Sequence, residues 1–341
     1  MGTPTSEFRY ELPEDAIAQT PVEPRDSARL LNTRDLSDHV FSELPDLLES
    51  GDLVVVNRSR VRAARMTGTK PSGGRIEALL LRPLAGGRWQ AAVRPARRLQ
   101  RGAELDFGRI KAVVESTPRE GLVELSLTAD GDLKATIAEV GSVPLPPYIY
   151  QQLHDPERYQ TIFAQELGSA AAPTAGLHFT ESLVSRLRDR SIDIAEIELQ
   201  IGLDTFRPIS TDSIESHRIH SEAFQVPSET ARAVAACQRR GGRVIAVGTT
   251  VVRALESRAN ASGDVEPGAG STSLYITPGF RFAVVDILLT NFHLPATSLI
   301  VLVAAFMGED WRKAYATALQ RGYRFLSFGD AMLTRRREPR S

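Results

Sequence analysis

The chain has 341 residues and a net charge of −1, and 42% of its residues are hydrophobic and 24% charged. These values predict a globular protein of about two domains with sizeable cores, and the single cysteine, Cys237, excludes an intrachain disulfide framework and a thiolate cluster for zinc. No basic stretch followed by an apolar run opens the sequence, and the longest apolar run, 299–307, has about half the length of a membrane span, so we expect a cytoplasmic protein outside the membrane.

Residues 1–58 begin the larger of two predicted domains. The spacing of apolar residues over 44–49 predicts a helical turn, and the run from Leu53 to Asn57 is typical of a buried strand.

Residues 59–144 have a different pattern, with short alternating runs separated by glycines. The predicted strands are 75–81, 89–93, 104–107, 110–115 and 122–127. Strands at this spacing, joined by glycine turns, predict a small β-barrel or sandwich. We therefore expect an inserted β-barrel domain over 59–144.

The first half of this module is strongly basic. Residues 58–101 contain 12 Lys or Arg and one acidic residue, Glu77, so the segment has a charge of +11 and the rest of the chain −12. A basic module on an acidic body is typical of polyanion binding, and the planar guanidinium suits phosphate. The alternative is an ordinary charged strand surface in an arginine-rich chain, which has only four lysines.

Residues 145–341 alternate between strand and helix patterns. Asp155 and Pro156 predict a helix start, and Gly168 is placed to end that helix; Thr180 is placed to cap a second helix. Strands at 194–201, 243–247 and 281–289 and helices at 228–239, 250–257, 297–307 and 311–321 complete the pattern. The fold class is therefore an α/β body, a mixed sheet with flanking helices, built discontinuously from 1–58 and 145–341 around the inserted barrel.

The segment 168–180 is almost free of large side chains until His178 and Phe179. Small residues with Pro and Gly allow the backbone to approach another group closely. A ligand-facing loop and a buried connector both fit this composition, and Phe179 fits either base stacking or core packing.

Four histidines lie among polar neighbours: His178, His217, His220 and His293. A histidine beside a carboxylate is the simplest acid–base pair, and His217, His220 and Glu222 supply one locally. The same three residues also suit half of a metal site, but they lack the i, i+4 pair of a zinc protease and any cysteine, so no metal is expected. Any one of these histidines also fits a structural role.

Two predicted strands end in polar residues. A predicted turn at Thr249 and Thr250 leads from a strand into a helix. The free N–H groups at the start of a helix attract anions, so this turn is a candidate anion site. Helix capping by the threonines is an alternative that explains them without a ligand. Asn291 and His293 follow an apolar strand, and ligands of open α/β sheets bind at the carboxyl ends of strands. The dinucleotide glycine fingerprint and the Walker motif are absent from the sequence.

Taken together, these segments resemble the S-adenosylmethionine:tRNA ribosyltransferase-isomerase family of queuosine biosynthesis. The resemblance runs from residue 10 to residue 333. Its most specific parts are 172–180 (Ala-Pro-Thr-Ala-Gly-Leu-His-Phe-Thr), 217–222 (His-Arg-Ile-His-Ser-Glu), 247–250 with Arg253, 291–295 (Asn-Phe-His-Leu-Pro) and 323–330.

The resemblance implies a reaction and two substrates. The ribosyl part of S-adenosylmethionine, the co-substrate, moves onto 7-aminomethyl-7-deazaguanine at the wobble position of tRNA, and adenine and methionine leave. Epoxyqueuosine-tRNA is the product. The sulfonium acidifies the C5′ proton for a modest base, adenine needs an acid to leave, and phosphates need a basic surface. A monomer and no membrane or metal partner are expected.

We assign roles to the residues that match the family as hypotheses. The catalytic candidates are His217, His220, Glu222 and His178, and which histidine is base and which is acid stays open. The candidates for binding S-adenosylmethionine or the deazaguanine are Pro173, Thr174, Ala175, Gly176, Phe179, Thr249, Thr250, Arg253, Asn291 and His293. The candidates for contacting tRNA are Arg58, Arg60, Arg94, Arg97, Arg98 and Arg101.

The chain departs from the usual family pattern at five positions, which are Arg58, Tyr150, Gln200, Asp204 and Ala296. Two of the changes remove basic residues that could contact phosphate. They leave two alternatives: an enzyme of the same family with a non-tRNA nucleoside acceptor, and an RNA-binding relative without catalysis.

Overall fold

The computed structural model describes residues 2–97, 99–119, 121–202 and 207–337. The chain forms two compact units. The first comprises Met1–Arg60, Pro146–Glu166 and Ala172–Ser341, and the second comprises Val61–Leu145 and Leu167–Ala171. We call them the body and the barrel unit.

The described residues form seventeen strands. In chain order these are β1 (Arg29–Asn32), β2 (Ser37–Val40), β3 (Leu53–Asn57), β4 (Ser59–Val61), β5 (Arg65–Thr69), β6 (Arg75–Pro83), β7 (Arg88–Arg94), β8 (Glu104–Asp106), β9 (Ile110–Val114), β10 (Leu122–Ala129), β11 (Glu166–Ser169), β12 (Asp193–Leu199), β13 (Glu222–Val226), β14 (Val244–Val247), β15 (Gly268–Thr272), β16 (Ile287–Asn291) and β17 (Ala331–Arg335).

The described residues also form seven α-helices. In chain order these are α1 (Leu44–Leu47), α2 (Leu133–Val140), α3 (Glu181–Asp189), α4 (Ser228–Arg239), α5 (Thr249–Arg258), α6 (Ser298–Met307) and α7 (Asp310–Gln320). The side chain of Thr180 caps α3, as predicted, by accepting a hydrogen bond from the Leu183 N–H (3.1 Å).

The body is built on a mixed sheet of nine strands in the order β15-β13-β12-β3-β14-β16-β17-β1-β2. Four neighbouring strands, β12, β3, β14 and β16, run parallel, so their carboxyl ends meet at one edge. Every residue of β3, β14 and β16 is buried, because helices cover both faces of the sheet centre. This arrangement confirms the predicted α/β body.

One cluster of the body core lies between this sheet and the segments that cover it. Val54, Val56, Ile245 and Leu289 from the strands pack there with apolar side chains of α3 and of the loops. The α6 helix is almost wholly buried, which explains why its sequence lacks a polar face.

The barrel unit is a closed antiparallel barrel in the order β10-β7-β6-β5-β8-β9. Alternate residues of β9 and β10 are buried, as expected for strands with one face toward a filled interior. A register shift between Leu80 and Arg82 bends β6 against β7. The closed barrel confirms the predicted inserted β-barrel and resolves the choice between barrel and sandwich.

The helix predicted from Asp155 to Gly168 is wrong. Asp155 does cap a turn, Pro156–Tyr159, but this is one 3-10 turn, and the backbone of Gln160 is extended (φ −115°, ψ 144°). The predicted end of the helix lies in β11. Buried residues of this loop have a spacing that resembles a helical face, whereas Leu167, near the predicted end of the helix, is 54% exposed.

Candidate active site

A cleft opens in the body at the carboxyl ends of the parallel strands. Its lining comes from the loops that follow β14 and β16, from the small-residue segment and from the loop before β17. The lining residues are Tyr148, Ala172, Pro173, Thr174, Ala175, Ile201, Gly248, Thr249, Thr250, Thr290, Asn291, Phe292, His293, Leu294, Thr297, Leu299, Leu326 and Ser327. This is the edge at which open α/β sheets bind ligands.

The small-residue segment forms one wall because its side chains leave room for close packing. Residues Thr174–His178 fold into a 3-10 turn. A Cβ atom on Gly176 would lie 3.0 Å from Cγ2 of Thr161, and one on Gly248 would lie 3.7 Å from the Ala175 methyl. The near absence of bulk in this segment therefore reflects close packing behind the wall, which is tightest at Gly176.

His178 is held behind this wall by Asn291. The Asn291 Nδ2 donates to Nε2 of His178 (3.1 Å) and to the Asp330 carbonyl (3.3 Å), and Thr174 Oγ1 donates to Asn291 Oδ1 (2.9 Å). Burial, with a smaller contribution from the Arg324 guanidinium, lowers the pKa of His178 to about 4. His178 is therefore neutral at pH 7 and acts as a hydrogen-bonding group.

His293 lies on the cleft lining in a rigid setting. The ring Nε2 shares a hydrogen bond with Thr290 Oγ1 (3.0 Å). The backbone N–H of His293 donates to the Tyr315 hydroxyl (3.0 Å), and its backbone carbonyl accepts from the Tyr10 hydroxyl. Burial lowers the pKa of His293 to about 3. A neutral imidazole, locked through its backbone by two tyrosines, therefore faces the cleft.

Phe179, for which base stacking and core packing were the alternatives, and Phe292 both lie in the core. The Phe179 ring is fully buried and packs edge-on against Phe41 (5.3 Å) and Phe163 (5.4 Å). Phe292 is also fully buried, although it touches the cleft, and it stacks on Phe325 at 4.7 Å. Core packing accounts for both rings.

The two threonines that begin α5, Thr249 and Thr250, are on the lining. Gly248 has a positive φ of 88°, which turns the chain sharply from β14 into α5, and no side chain caps the helix. The first N–H groups of α5 thus start at the cleft, next to Thr249 and Thr250. Asn57 Nδ2 is 3.4 Å from Thr250 Oγ1 and ties β3 to this turn.

Arg253 and Glu222 form a buried ion pair one turn further along α5. Arg253 Nη1 bonds to Glu222, and its Nε and Nη2 donate to the carbonyls of Leu274 (3.1 Å) and Thr272 (3.3 Å). Glu222 Oε1 accepts from the Gly202 N–H (2.8 Å). Both residues lie outside the cleft lining, and all three guanidinium nitrogens of Arg253 already donate to protein groups.

His217 and His220 also lie outside this lining. His217 is partly exposed, with its ring edge-on to Tyr275 at 5.5 Å, and His220 is exposed. Burial lowers the pKa of His217, and the neighbouring His220 lowers it further. The sequence thus places these histidines near Glu222 in the chain, while the structure directs Glu222 toward Arg253.

The candidate arginines for tRNA fall into two groups. Arg60 pairs with Glu157 (2.5 Å), and Arg58 lies 3.9 Å from Glu196. The remaining described candidates are exposed and form no ion pair with described residues: Arg94, Arg97 and Arg101. Arg98 lies outside the described residues.

The departures from the family pattern are spread over the body. Tyr150 is 81% exposed, Gln200 donates to Glu198 (3.1 Å), and Ala296 is buried with a positive φ of 53°. Asp204 lies outside the described residues.

Sequence reasoning missed several lining residues. Tyr148 and Ser327 are joined through their side-chain oxygens at 2.7 Å although 179 positions separate them in the chain. The available signal was Ser327 itself, which belongs to the family-like segment 323–330, but nothing in the sequence relates it to Tyr148.

The described residues offer neither a metal-binding group nor a helix suited to a membrane. Across 2–97, 99–119, 121–202 and 207–337, no group of three or more His, Cys, Asp or Glu is arranged to hold a metal ion. In the same part of the chain, no helix has both the length and the apolarity needed to cross a membrane.

Comparisons with known proteins cover nearly the whole chain. The family model described as "Queuosine biosynthesis protein" matches residues 5–334. The S-adenosylmethionine:tRNA ribosyltransferase-isomerase of Heliobacterium modesticaldum is 50% identical over 338 residues, which are 96% of this chain and 98% of that protein. The protein of the same name from Anaeromyxobacter sp. is 49% identical over 341 residues, 97% of this chain and 99% of that protein.

A solved structure agrees with these relatives. The crystal structure of an S-adenosylmethionine tRNA ribosyltransferase from Thermotoga maritima is 37% identical, with a TM-score of 0.55, and the match covers 96% of this chain and 99% of that one.

Proposed function

The chain belongs to the S-adenosylmethionine:tRNA ribosyltransferase-isomerase family of queuosine biosynthesis, and on this basis we infer that it is an enzyme that transfers and isomerises the ribosyl part of S-adenosylmethionine. The acceptor in this reaction is 7-aminomethyl-7-deazaguanine at the tRNA wobble position. Adenine and methionine are released, and epoxyqueuosine-tRNA is formed. S-adenosylmethionine is consumed as a co-substrate.

The observation that carries this inference within the structure is the cleft at the ends of β14 and β16. Pro173, Thr174 and Ala175 face Thr249 and Thr250 across one lining. Asn291 and His293 complete it from the end of β16. Residues from three distant, family-like segments therefore converge on one site, which is the geometry expected of a substrate pocket.

We assign the methionine carboxylate of the co-substrate to the start of α5. The first N–H groups of this helix carry no side-chain cap, and the helix dipole favours a negative group there. Thr249 and Thr250 add hydroxyl donors at the same place. Arg253, with its three nitrogens already donating to Glu222 and two carbonyls, supports the site from behind by holding Glu222.

The neutral histidines of the pocket serve as hydrogen-bonding groups. A base with a pKa of about 3 or 4 is poorly matched to proton abstraction near pH 7, and a bound sulfonium cation disfavours its protonation further. His178 and His293 accordingly orient the substrate. Acid–base work is left to His217 and His220 with Glu222, acting on the parts of the substrates that extend beyond the cleft lining.

The experiment that tests the reaction uses a wobble-deazaguanine tRNA transcript. The purified chain is incubated with this transcript and S-adenosylmethionine, and adenine release is measured together with the mass of the tRNA. Stoichiometric adenine and a mass gain of one epoxycyclopentanediol are expected. Adenine release with a free nucleoside acceptor but not with tRNA would overturn the assigned acceptor.

A second experiment tests the acid–base assignment. His217→Ala and His220→Ala should each lower kcat by about 100-fold, the size of a general acid–base contribution, with unchanged circular dichroism. Full turnover in both variants would show the assignment to be wrong. The cytoplasmic location and the monomeric state stay predictions of the sequence.

A further inference from the structure

Three hydroxyl groups meet at one end of the cleft. Tyr148 and Ser327, both on the lining, share a hydrogen bond of 2.7 Å. The buried Tyr159 hydroxyl is close to Ser327 and to the Ala172 backbone. We call Tyr148, Tyr159 and Ser327 the hydroxyl cluster.

The Tyr159 hydroxyl is an unusual member of this cluster. The residue is 0% exposed, and although its hydroxyl lies near Ser327 and the Ala172 backbone, its oxygen makes no well-formed hydrogen bond with the described residues. A buried hydroxyl without a partner is unfavourable and seldom persists without a reason. Its neighbours Ala172 and Ser327 are both lining residues, so a ligand in the cleft lies within reach of completing this network.

The cluster favours an uncharged ligand group. Burial raises the pKa of Tyr148 and of Tyr159 well above the usual value, so both hydroxyls keep their protons. The adjoining lining is small and apolar, with Ala172, Pro173 and Leu326. Hydroxyl groups beside an apolar wall suit the sugar hydroxyls and ring edge of a nucleoside better than a carboxylate or phosphate.

The two ends of the cleft are separated along the sheet edge. Thr249 and Thr250 follow β14, whereas Ser327 precedes β17, and β16 lies between these strands. Two strand spacings correspond to about 10 Å. One end therefore offers uncapped helix N–H groups for an anion, and the other offers neutral hydroxyls.

We propose that the hydroxyl cluster of Tyr148, Tyr159 and Ser327 binds the adenosyl part of S-adenosylmethionine and thereby fixes the direction in which the co-substrate lies in the cleft. This assignment rests on the proposed function. In this assignment Tyr159 does not contact the reacting atoms. It supports binding indirectly, through its neighbours Ser327 and Ala172 on the cleft lining. The methionine end then lies against Thr249 and Thr250.

Fragment binding tests the assignment. Wild type, Ser327→Ala and Tyr159→Phe are titrated calorimetrically with S-adenosylmethionine, with adenosine and with methionine. The loss of one neutral hydrogen bond should lower the binding affinity for S-adenosylmethionine and for adenosine about fivefold to tenfold. Methionine affinity should stay at the wild-type value.

Thermal unfolding separates a binding role from a structural one. Tyr159→Phe removes a buried hydroxyl that lacks a partner, so the ligand-free variant should melt at or above the wild-type temperature, while the extra stabilisation by saturating adenosine should shrink. Tyr275→Phe is the matched control, because the Tyr275 hydroxyl is also buried without a hydrogen bond but lies off the cleft lining. This control should leave adenosine affinity unchanged.

The outcomes distinguish this assignment from the proposed function. If wild type releases adenine from S-adenosylmethionine but both cluster variants bind adenosine normally, the assignment is overturned and the proposed function stands. If the cluster variants bind methionine more weakly but adenosine normally, the co-substrate lies in the reverse orientation, and the assignment is also overturned. A raised KM for tRNA alone would assign the cluster to the acceptor base instead. If wild type neither binds S-adenosylmethionine nor releases adenine, both proposals fail.

Discussion

Asn291 donates from its side-chain nitrogen to Nε2 of His178 across 3.1 Å, although 113 positions separate the two residues in the chain. The bond connects the end of β16 to the small-residue wall of the cleft. Because Nε2 accepts this hydrogen bond, the ring proton is directed to Nδ1, next to the Arg25 backbone. Asn291 thus fixes both the position and the tautomer of a buried neutral histidine.

Removal of this donor should destabilise the body. Asn291→Ala leaves Nε2 of His178 buried without a donor, so the free energy of unfolding should fall by about 1–3 kcal/mol. Urea denaturation at pH 7 measures the change. Asn32→Ala is the control, since Asn32 is partly exposed and, among the described residues, its side chain accepts only from the Arg34 N–H. This variant should lose clearly less free energy of unfolding. Equal losses in the two variants would contradict the special role of Asn291.

The two buried histidines should make stability depend on pH. The pKa of His178 is about 4 and that of His293 about 3 in the folded chain, below the ordinary histidine value of 6.5. Between pH 6.5 and about 4 the unfolded chain therefore binds more protons than the folded chain, and stability falls as the pH falls. Each histidine contributes a slope of about 1.4 kcal/mol per pH unit in this window.

A variant separates the contribution of His178 to the pH dependence of stability from that of the Asp and Glu side chains, which also titrate at low pH. His178→Gln should reduce the slope of unfolding free energy against pH by about 1.4 kcal/mol per unit between pH 6 and pH 4.5. Denaturant titrations at four pH values give the slope, and His154→Gln at an exposed position is the control. A slope in His178→Gln equal to that of wild type would show that His178 binds protons equally in the folded and unfolded chains.

The sequence predicted the fold class because its local signals agreed with the tertiary structure. The strand at Leu53–Asn57 and the helix at Ser228–Arg239 have the predicted bounds, since the first is a continuous apolar run and the second has a clear amphipathic period. By contrast, β17 was not predicted. It lies between β16 and β1, and its pairing with β1 joins residues about 300 positions apart, so no local pattern marks it.

The site was predictable where residues follow strands. Thr249, Thr250, Asn291 and His293 line one cleft because the carboxyl ends of parallel strands share an edge. The pairing of Glu222 with Arg253 could not be predicted, because it depends on how α5 packs against β13. Local spacing shows only that Glu222 is close in the chain to His217 and His220, and its role beside them stays a prediction.

The Glu222–Arg253 pair should show strong energetic coupling. Both side chains are less than 8% exposed, so removing one partner leaves a buried charge alone. Glu222→Gln and Arg253→Met should each cost about 3–5 kcal/mol of unfolding free energy, whereas the double variant should cost much less than their sum. A double-mutant cycle by urea denaturation measures the coupling. Additive losses would mean that the two charges are solvated independently.

The exposed arginines of the barrel unit give a salt-dependent prediction for tRNA. Arg94, Arg97 and Arg101 have no ion-pair partner among the described residues, so they are available to phosphates. Each phosphate contact contributes about 0.7–0.9 to the slope of log affinity against log salt concentration. Arg94→Ala should therefore weaken tRNA binding at low salt and reduce this slope by nearly one, with the KM for S-adenosylmethionine unchanged.

The matched control for this experiment is Arg109→Ala. Arg109 lies on the same unit and is similarly exposed, but it pairs with Glu139, so its charge is already compensated. Filter binding of tRNA at five salt concentrations compares the two variants with wild type. Because a surface phosphate contact affects association with any tRNA sequence, Arg94→Ala should weaken cognate and non-cognate tRNA alike. Equal slopes in Arg94→Ala and wild type would exclude Arg94 from the phosphate contacts and direct the search to other faces of the barrel unit.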